Sequence, residues 1–479
     1  MRFMNNDLSN FLTYLSFKMD TLREQEENPL TLNVSLCEEH LRILETMKEE
    51  KVEALKKAMP KKANTKTRDV PKVLFKADGC LSVLGESWYD QLRELKLPKD
   101  TQTLTYVDSY EDGNPNSHVQ IKEWFYGLGW KPRTWKYERN KVTGEEKKIP
   151  QVKYPKGHDR EGDLCDSVMD LVKKDPAIEL YGGLSVISHR ISVLNGFMNA
   201  QVNGKVVSSA QGFTNTLRLK HRAPVCNLPG VEAEYGEWCR DVLVPEDGYV
   251  FVGADVSSLE STTKCHYMYP HDPEYVKEMS EEGFDEHINL AKFAGAITQE
   301  DEDRYRAGNG SDLKPIRKKF KPANYAGIYG VQKKTLSRQT GMTEAESQDL
   351  LDAYWSRNWA VKQVAKEQYV KTLRDGSMYL KNPINGFYYS LRNEKDIFST
   401  LNQGSGDYVF NVWLMFCRKM GIKVHMNYHD EWLTSVPQDK AQEAYDISEK
   451  AMVKVNEALK LNKTVTADAQ AGYSYAECH

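Results

Sequence analysis

The chain is 479 residues long, with 65 lysines and arginines against 69 aspartates and glutamates. That length is more than one simple core serves and implies two or three subdomains. A net charge of -4 neither demands nor excludes a nucleic-acid partner, because a binding channel needs only local positive charge. The eight cysteines, at positions 37, 80, 165, 226, 239, 265, 417 and 478, form no C-x-x-C pair and no metal-finger spacing, and read as reduced thiols. No run approaches about 18 uncharged apolar residues, and the opening Met1-Arg2-Phe3-Met4-Asn5-Asn6-Asp7 lacks the basic-then-apolar order of a secretory signal. The expectation is a soluble, cytoplasmic protein without a membrane partner.

Charge-rich helical patterns fill the first 60 residues, as in "CEEHLRILETMKEEKVEALKKAM". The basic, proline-flanked "PKKANTKTRDVPK" (60 to 72) follows, and mixed, irregular sequence continues to about residue 113. Its composition reads as a loop or insertion: a mobile surface tip, a clamp on phosphates or a docking site for a partner. From "NPNSHVQIKEWFYGLGW" (114 to 130) onward, turn residues alternate with helical stretches up to a strand-like run, "YVFVGADVSSLE" (249 to 260). That run alternates bulky and small residues and ends on Asp255. A carboxylate at the end of a buried strand is costly unless it is paired, hydrogen-bonded or holding a cation.

Next comes "RKKFKPANYAGIYG" (317 to 330). On a helix, residues four apart are offset by about 40°, so Arg317, Lys321, Tyr325 and Tyr329 share one slowly drifting stripe. Two cations followed by two aromatics suit a triphosphate followed by a sugar and base, and equally suit an amphipathic helix with a solvated basic end. Near the C-terminus, "IKVHM" and "LTSV" read as two short strands flanking "NYHDEW" (427 to 432), which places His429, Asp430 and Glu431 at a hairpin tip. Alone, that tip reads as a solvated acidic turn. Asp255 changes its meaning: if the two strands are neighbours in one sheet, Asp255 and Asp430 bracket two hard cations about 4 Å apart, an arrangement suited to phosphoryl transfer. Magnesium suits such all-oxygen ligands.

With these motifs in order, the chain resembles a family A DNA polymerase of the bacterial DNA polymerase I type, and is most similar to the replicative polymerases of bacteriophages. The three family motifs are "DVSSLE" at Asp255, "RKKFKPANYAGIYG" at Arg317 and "HDE" at His429. Supporting matches run through most of the chain: "NPNSHVQI", "TLR" at 216, "NLPGVEAEYGEWCR", "DEHINLAKFAG", "NPINGFYY", "TLNQGSGDYVFNVW" and the terminal His479.

The resemblance implies an α+β right-hand fold, with an antiparallel palm sheet and mainly helical fingers and thumb. Residues 1–185 would form palm-supporting helices and thumb, with a basic insertion at about 58–112. Residues 186–264 would be palm, 265–384 fingers with the motif helix at 316–330, and 385–479 the second part of the palm. The implied activity is template-directed addition of deoxynucleotides to a primer 3′-OH, probing phosphate and base with distinct residues. Asp255, Asp430 and the carbonyl of Val256 would hold two Mg²⁺ ions, with Glu431 beside them. His287, Arg317 and Lys321 would hold the triphosphate, Lys321 also serving the departing pyrophosphate. Tyr325 would lie against the incoming sugar, Glu260 would close the space of a ribose 2′-OH, and Tyr329 would take the template-base position. Arg218, Gln403 and His429 would touch the primer-template minor groove or primer end, and Asn114 and Ser117 the backbone phosphates. The implied partners are primer-template DNA and deoxynucleoside triphosphates, with a separate exonuclease subunit or processivity factor as further candidates.

The chain departs from the family pattern in several places. Thr262 stands where an arginine is common, so a family ion pair is absent or replaced there. Pro322 inside the motif helix removes an N–H and crowds the Lys318 carbonyl, so a kink or change of register is expected. Gln403-Gly404-Ser405-Gly406-Asp407 is a looser, glycine-rich version of its motif. Thumb-like sequence begins almost at Met1, so proofreading is expected to come from another chain. A catalytically dead homologue serving as a DNA-binding or scaffold subunit would lack one of the aspartates, and both are present. A metal-dependent nuclease has no need of the Arg-Lys-Tyr-Tyr stripe, and Glu260 disfavours a single-subunit RNA polymerase.

Overall fold

A computed structural model describes residues 5–140, 142–155, 160 and 162–478, with side chains from Leu8 onward. Met1 to Met4 and the terminal His479 lie outside the described residues. The architecture is mixed helix and antiparallel sheet. The chain divides into two compact units: Met1–Glu45 with Pro155–Gly162 and Ser185–His479, and Thr46–Tyr154 with Asp163–Leu184.

The larger unit is built on a four-stranded antiparallel sheet in the order Met426–Tyr428, Glu431–Pro437, Tyr249–Val256, Ala467–Gly472. "YVFVGADV" forms the expected strand, and its neighbour is the strand that follows the His429-Asp430 turn. Val252, Ala254 and Val256 alternate onto one face. There they pack with Phe410, Trp413, Leu414 and Cys417 of the Ile397–Lys419 helix and with Met452 and Val455 of the Ala441–Leu459 helix. Trp432 joins them, its ring centroid 5.6 Å from that of Trp413. The opposite face is covered too. Gly253 lies so close to the last residues that a Cβ there would stand 2.9 Å from the Cys478 Cβ. A sheet buried on both faces explains why the strand reads as a nearly unbroken apolar run.

The glycine-rich Gln403–Asp407 stretch is not loose. It runs inside the continuous Ile397–Lys419 helix, and the missing side chains are filled by neighbours: a Cβ at Gly404 would meet the Tyr389 ring at 2.9 Å, and one at Gly406 the Leu259 Cγ at 3.4 Å. Asp407 is buried in an ion pair with Lys18 at 2.8 Å and accepts the Tyr14 hydroxyl at 2.7 Å. Burial in turn lowers the Lys18 pKa, opposed by Asp407.

In the smaller unit, Ile121, Trp124 and Phe125 of the His118–Gly127 helix pack with Trp130, Val168, Leu171, Ile178 and Tyr181. Here the expectation of a loop at 60 to 72 is corrected. Lys62–Asp69 is a strand paired with Thr103–Glu111, and the Val83–Glu94 helix between them buries Trp88 and Leu92 against Leu104. The ribbon has almost no apolar alternation to betray it, because its sequence is matched across strands by charge: Lys62 meets Glu111 at 2.7 Å and Lys66 meets Asp108 at 2.8 Å. The expected succession of helices and turns up to residue 249 also hides short pairs, Trp135–Arg139 with Glu146–Pro150 and Ser209–Phe213 with Leu219–Arg222. At five residues or fewer, these strands are too short for period-two patterning to register.

Candidate active site

Register brings the two aspartates to one end of the sheet. Asp255 pairs in register with Glu431, one residue past Asp430, and the Val256 N–H donates to the Asp430 carbonyl at 3.1 Å. The hairpin turn is narrower than expected. Tyr428 pairs with Glu431, so only His429 and Asp430 form the tip, with His429 in the left-handed region at φ 59°. Glu431 is therefore not on the tip: it is 7% exposed, accepts the Tyr475 hydroxyl at 3.1 Å and reaches over Gly253. Side chains alternate along a strand, and the register that projects Asp430 from the turn turns Glu431 into the packed face. Burial pushes the Glu431 carboxyl up to about 8, against the pull of Tyr475 and Arg240.

Asp255 is raised above the usual carboxylate range, first by burial, then by Asp430, then by Asp468. Among the described residues neither Asp255 nor Asp430 has an ion-pair partner, and no group of three or more His, Cys, Asp or Glu side chains is placed to hold a metal ion by itself. Two carboxylates sharing negative charge without a counter-charge fit an oxygen-liganded divalent cation whose remaining ligands come from water or substrate phosphates.

A cleft of about 260 Å³ runs from Asp430 to the Lys314–Gly327 helix, lined among others by Ser258, Glu260, Asn324, Tyr325, Tyr329 and Asp430. The helix continues through Pro322, so the expected loss of helical register does not occur; the bond from residue 322 to the Lys318 carbonyl is simply absent. Arg317, Lys321 and Tyr325 thus keep one stripe, whereas Tyr329 falls in the turn after the helix, closed by Gly330 at φ 67°. Tyr325 is 58% exposed, with Lys321 Nζ 5.6 Å from its ring centre and the His287 ring 5.5 Å away.

Two expected phosphate ligands are engaged within the protein. Arg317 Nε donates to Asp285 at 2.6 Å, the residue whose other oxygen caps the Glu286–Phe293 helix. His287, 4% exposed, lies 3.1 Å from Asn324 Nδ2 through its Nδ1, and burial lowers its pKa. Lys321 is exposed. Glu260 pairs with Arg218 at 3.2 Å, and Gln403 donates to the Tyr329 hydroxyl at 3.1 Å, so four expected site residues are tied in two pairs. Thr262 is buried, and the nearby ion pair is Lys264 with Glu286 at 3.4 Å. Asn114 and Ser117 belong to the smaller unit: Ser117 caps the His118–Gly127 helix and Asn114 Oδ1 accepts the Asn116 N–H at 3.0 Å.

Two neighbours escaped the motif reading. His221 Nε2 accepts the His429 N–H at 3.4 Å, and its ring packs on Tyr428. Asp468 pairs in register with Asp255 on the sheet's other side, and Ser257 Oγ donates to it at 2.6 Å. The signal for Asp468 was a lone acid among small residues in "TADAQAG"; nothing local marked His221.

A solved polymerase domain shares this fold, which defines its class: the POL domain of Pol1 from M. smegmatis, in complex with DNA primer-template and dNTP. The TM-score is 0.65 at 16% identity, over 96% of this chain and 69% of that one. Residues 176–477 match the family model for DNA polymerase family A, and the chain belongs to that family. It is 24% identical over 300 residues to DNA polymerase I of Borreliella burgdorferi and 26% identical over 259 residues to the thermostable DNA polymerase I of Thermus thermophilus. Those alignments take in 59% and 51% of this chain but only 31% and 29% of the relatives' lengths.

Proposed function

We propose that this chain is a template-directed DNA polymerase that adds deoxynucleotides to a primer 3′-OH by two-metal phosphoryl transfer. The observation that carries this reading is the joining of Asp255 and Asp430 at one end of adjacent strands, through the Val256–Asp430 hydrogen bond, beside a cleft that reaches Tyr325 and Tyr329. Asp255, Asp430 and the Val256 carbonyl would hold two Mg²⁺ ions. When bound, the ions supply charge neutralisation and lower the pKa of the attacking hydroxyl.

The chain's own residues would do the rest. Lys321, exposed and without an ion pair among the described residues, would meet the triphosphate and place a proton donor near the pyrophosphate. Arg317 and His287 would reach it by exchanging their bonds to Asp285 and Asn324 for phosphate oxygens, while Tyr325 covers the sugar. Glu260, fixed by Arg218, would exclude a 2′-OH, and Tyr329, held by Gln403, would occupy the template-base position. Arg218, Gln403 and His429 would then face the minor groove and primer end, and Asn114 and Ser117 the backbone phosphates. Glu431, turned inward, would support the hairpin from behind instead of touching metal.

The division into thumb-containing 1–185, palm 186–264 and 385–479, and fingers 265–384 belongs to the same proposal, as does replication of a phage genome in the host cytoplasm, which rests on motif resemblance alone. Among the described residues no helix is long and apolar enough to cross a membrane. The insertion at about 58–112 is the part of the proposal best suited to a processivity factor or to DNA phosphates, because its ribbon carries exposed lysines.

The test is primer extension by the purified chain with Mg²⁺ on a short and a long template. Extension of the short template supports the reading; extension of neither, with folded protein and bound DNA, would refute it.

A further inference from the structure

The turn that carries Asp255 is held largely from a strand outside the family motifs. After Asp255 the chain leaves the sheet through Val256 and Ser257, and Ser258 takes φ 48°, a left-handed conformation that a residue with a Cβ adopts at a cost. Such a turn relaxes unless it is restrained. Three hydrogen bonds restrain it: Val256 N–H to the Asp430 carbonyl at 3.1 Å, Ser257 N–H to the Thr466 carbonyl at 3.0 Å, and Ser257 Oγ–H to Asp468 Oδ2 at 2.6 Å. The first ties the two aspartates together. The other two come from the start of the Ala467–Gly472 strand.

Asp468 is exposed, so the sheet does not need it for packing. Its bond to Ser257 is at the short end expected of a hydroxyl donating to a carboxylate. As the register partner of Asp255 it also projects on the same face, where its negative charge adds to that of Asp255. Orientation and charge are therefore supplied by one side chain, and they can be separated by substitution.

We propose that Asp468 is a positioning residue for the candidate metal site: through Ser257 it holds the Asp255–Ser257 turn, and with it the Val256 carbonyl and the Asp255 carboxylate, in the arrangement that binds a divalent cation. This rests on the polymerase reading above.

The experiment measures Mn²⁺ binding by electron paramagnetic resonance in the complex of the 479-residue chain, a dideoxy-terminated primer-template and the matched deoxynucleotide. Primer extension and thermal unfolding are followed on the same preparations. Asp468→Ala and Ser257→Ala should each weaken Mn²⁺ binding by about threefold to tenfold, the effect of losing one charge-assisted hydrogen bond. Ser257→Thr, which keeps the hydroxyl, should bind within about twofold of wild type on the same scale. Asp468→Asn, which keeps an acceptor but not the charge, should fall between. Unchanged Mn²⁺ affinity in both alanine variants, whatever happens to the melting temperature, would overturn the positioning role while wild-type extension leaves the polymerase reading intact. Absence of Mn²⁺ binding and of extension in the wild type would overturn both.

Discussion

His221 makes folding of the larger unit sensitive to mild acid. Its ring lies against Tyr428 and His429, and Nε2 accepts the His429 N–H, so the neutral imidazole is the form the fold requires. Burial first, then His429 and Lys18, lowers its pKa from 6.5 to about 4. Between those values the unfolded chain binds a proton that the folded chain does not, so stability falls as pH falls through this window and levels off below it. With ~1.4 kcal/mol per pKa unit, the full effect is about 3 kcal/mol, of which about 2 kcal/mol is lost between pH 7 and 5. His221→Gln keeps an acceptor but no titrating group in that range. Urea unfolding followed by tryptophan fluorescence should show the wild type losing about 2 kcal/mol more than the variant from pH 7 to 5. Other histidines with lowered pKa values, such as His266 and His425, act in both proteins and cancel. Parallel pH profiles for the two proteins would refute the assignment of His221 as a buried neutral acceptor.

Gly253→Ala would press a Cβ against Cys478 at 2.9 Å and should cost about 1–3 kcal/mol in thermal unfolding, whereas Gly406→Ala, with 3.4 Å to Leu259, should cost less than about 1 kcal/mol. Equal costs would mean that the C-terminal residues yield freely. Glu260→Ala frees Arg218 and opens the space beside Tyr329, so the ratio of ribonucleotide to deoxynucleotide incorporation should rise; an unchanged ratio would remove Glu260 from sugar selection. Met59 and Gly113 are in contact, so residues 61–112 can be excised as a unit without stretching the chain. The excised protein should add single nucleotides normally but make shorter products per binding event, and equal loss in both assays would assign the ribbon to folding.

The candidate site was legible because it is built from elements with strong local signals. Tyr249–Val256 announces itself by apolar continuity ending on a carboxylate, and the hairpin by alternation around an acidic turn. What local pattern could not show was the reach of the register: Asp468 and His221 touch the site through strand pairing and ring packing with residues far away in the chain. Glu431 was misplaced for the same reason, since a one-residue difference in the width of a turn moves a side chain to the other face. At Pro322 a strong local rule did not end the helix, which runs on to Gly327. Phe320, Ala323 and Gly327 bury the helix on both sides of it, and a Cβ at Gly327 would strike the Tyr354 ring at 2.6 Å. The Lys62–Asp69 ribbon was missed because its cross-strand match is ionic, and exposed ion pairs leave no hydrophobic period to detect.

The central claim is that Asp255 and Asp430 serve one metal-dependent phosphoryl transfer. Asp255→Asn and Asp430→Asn should each reduce single-nucleotide extension by at least about a thousandfold, with primer-template affinity within about threefold of wild type, because duplex affinity comes mostly from phosphate contacts elsewhere. Measuring both quantities on the same preparations is the most direct test, and extension by either variant at the wild-type rate would contradict the account.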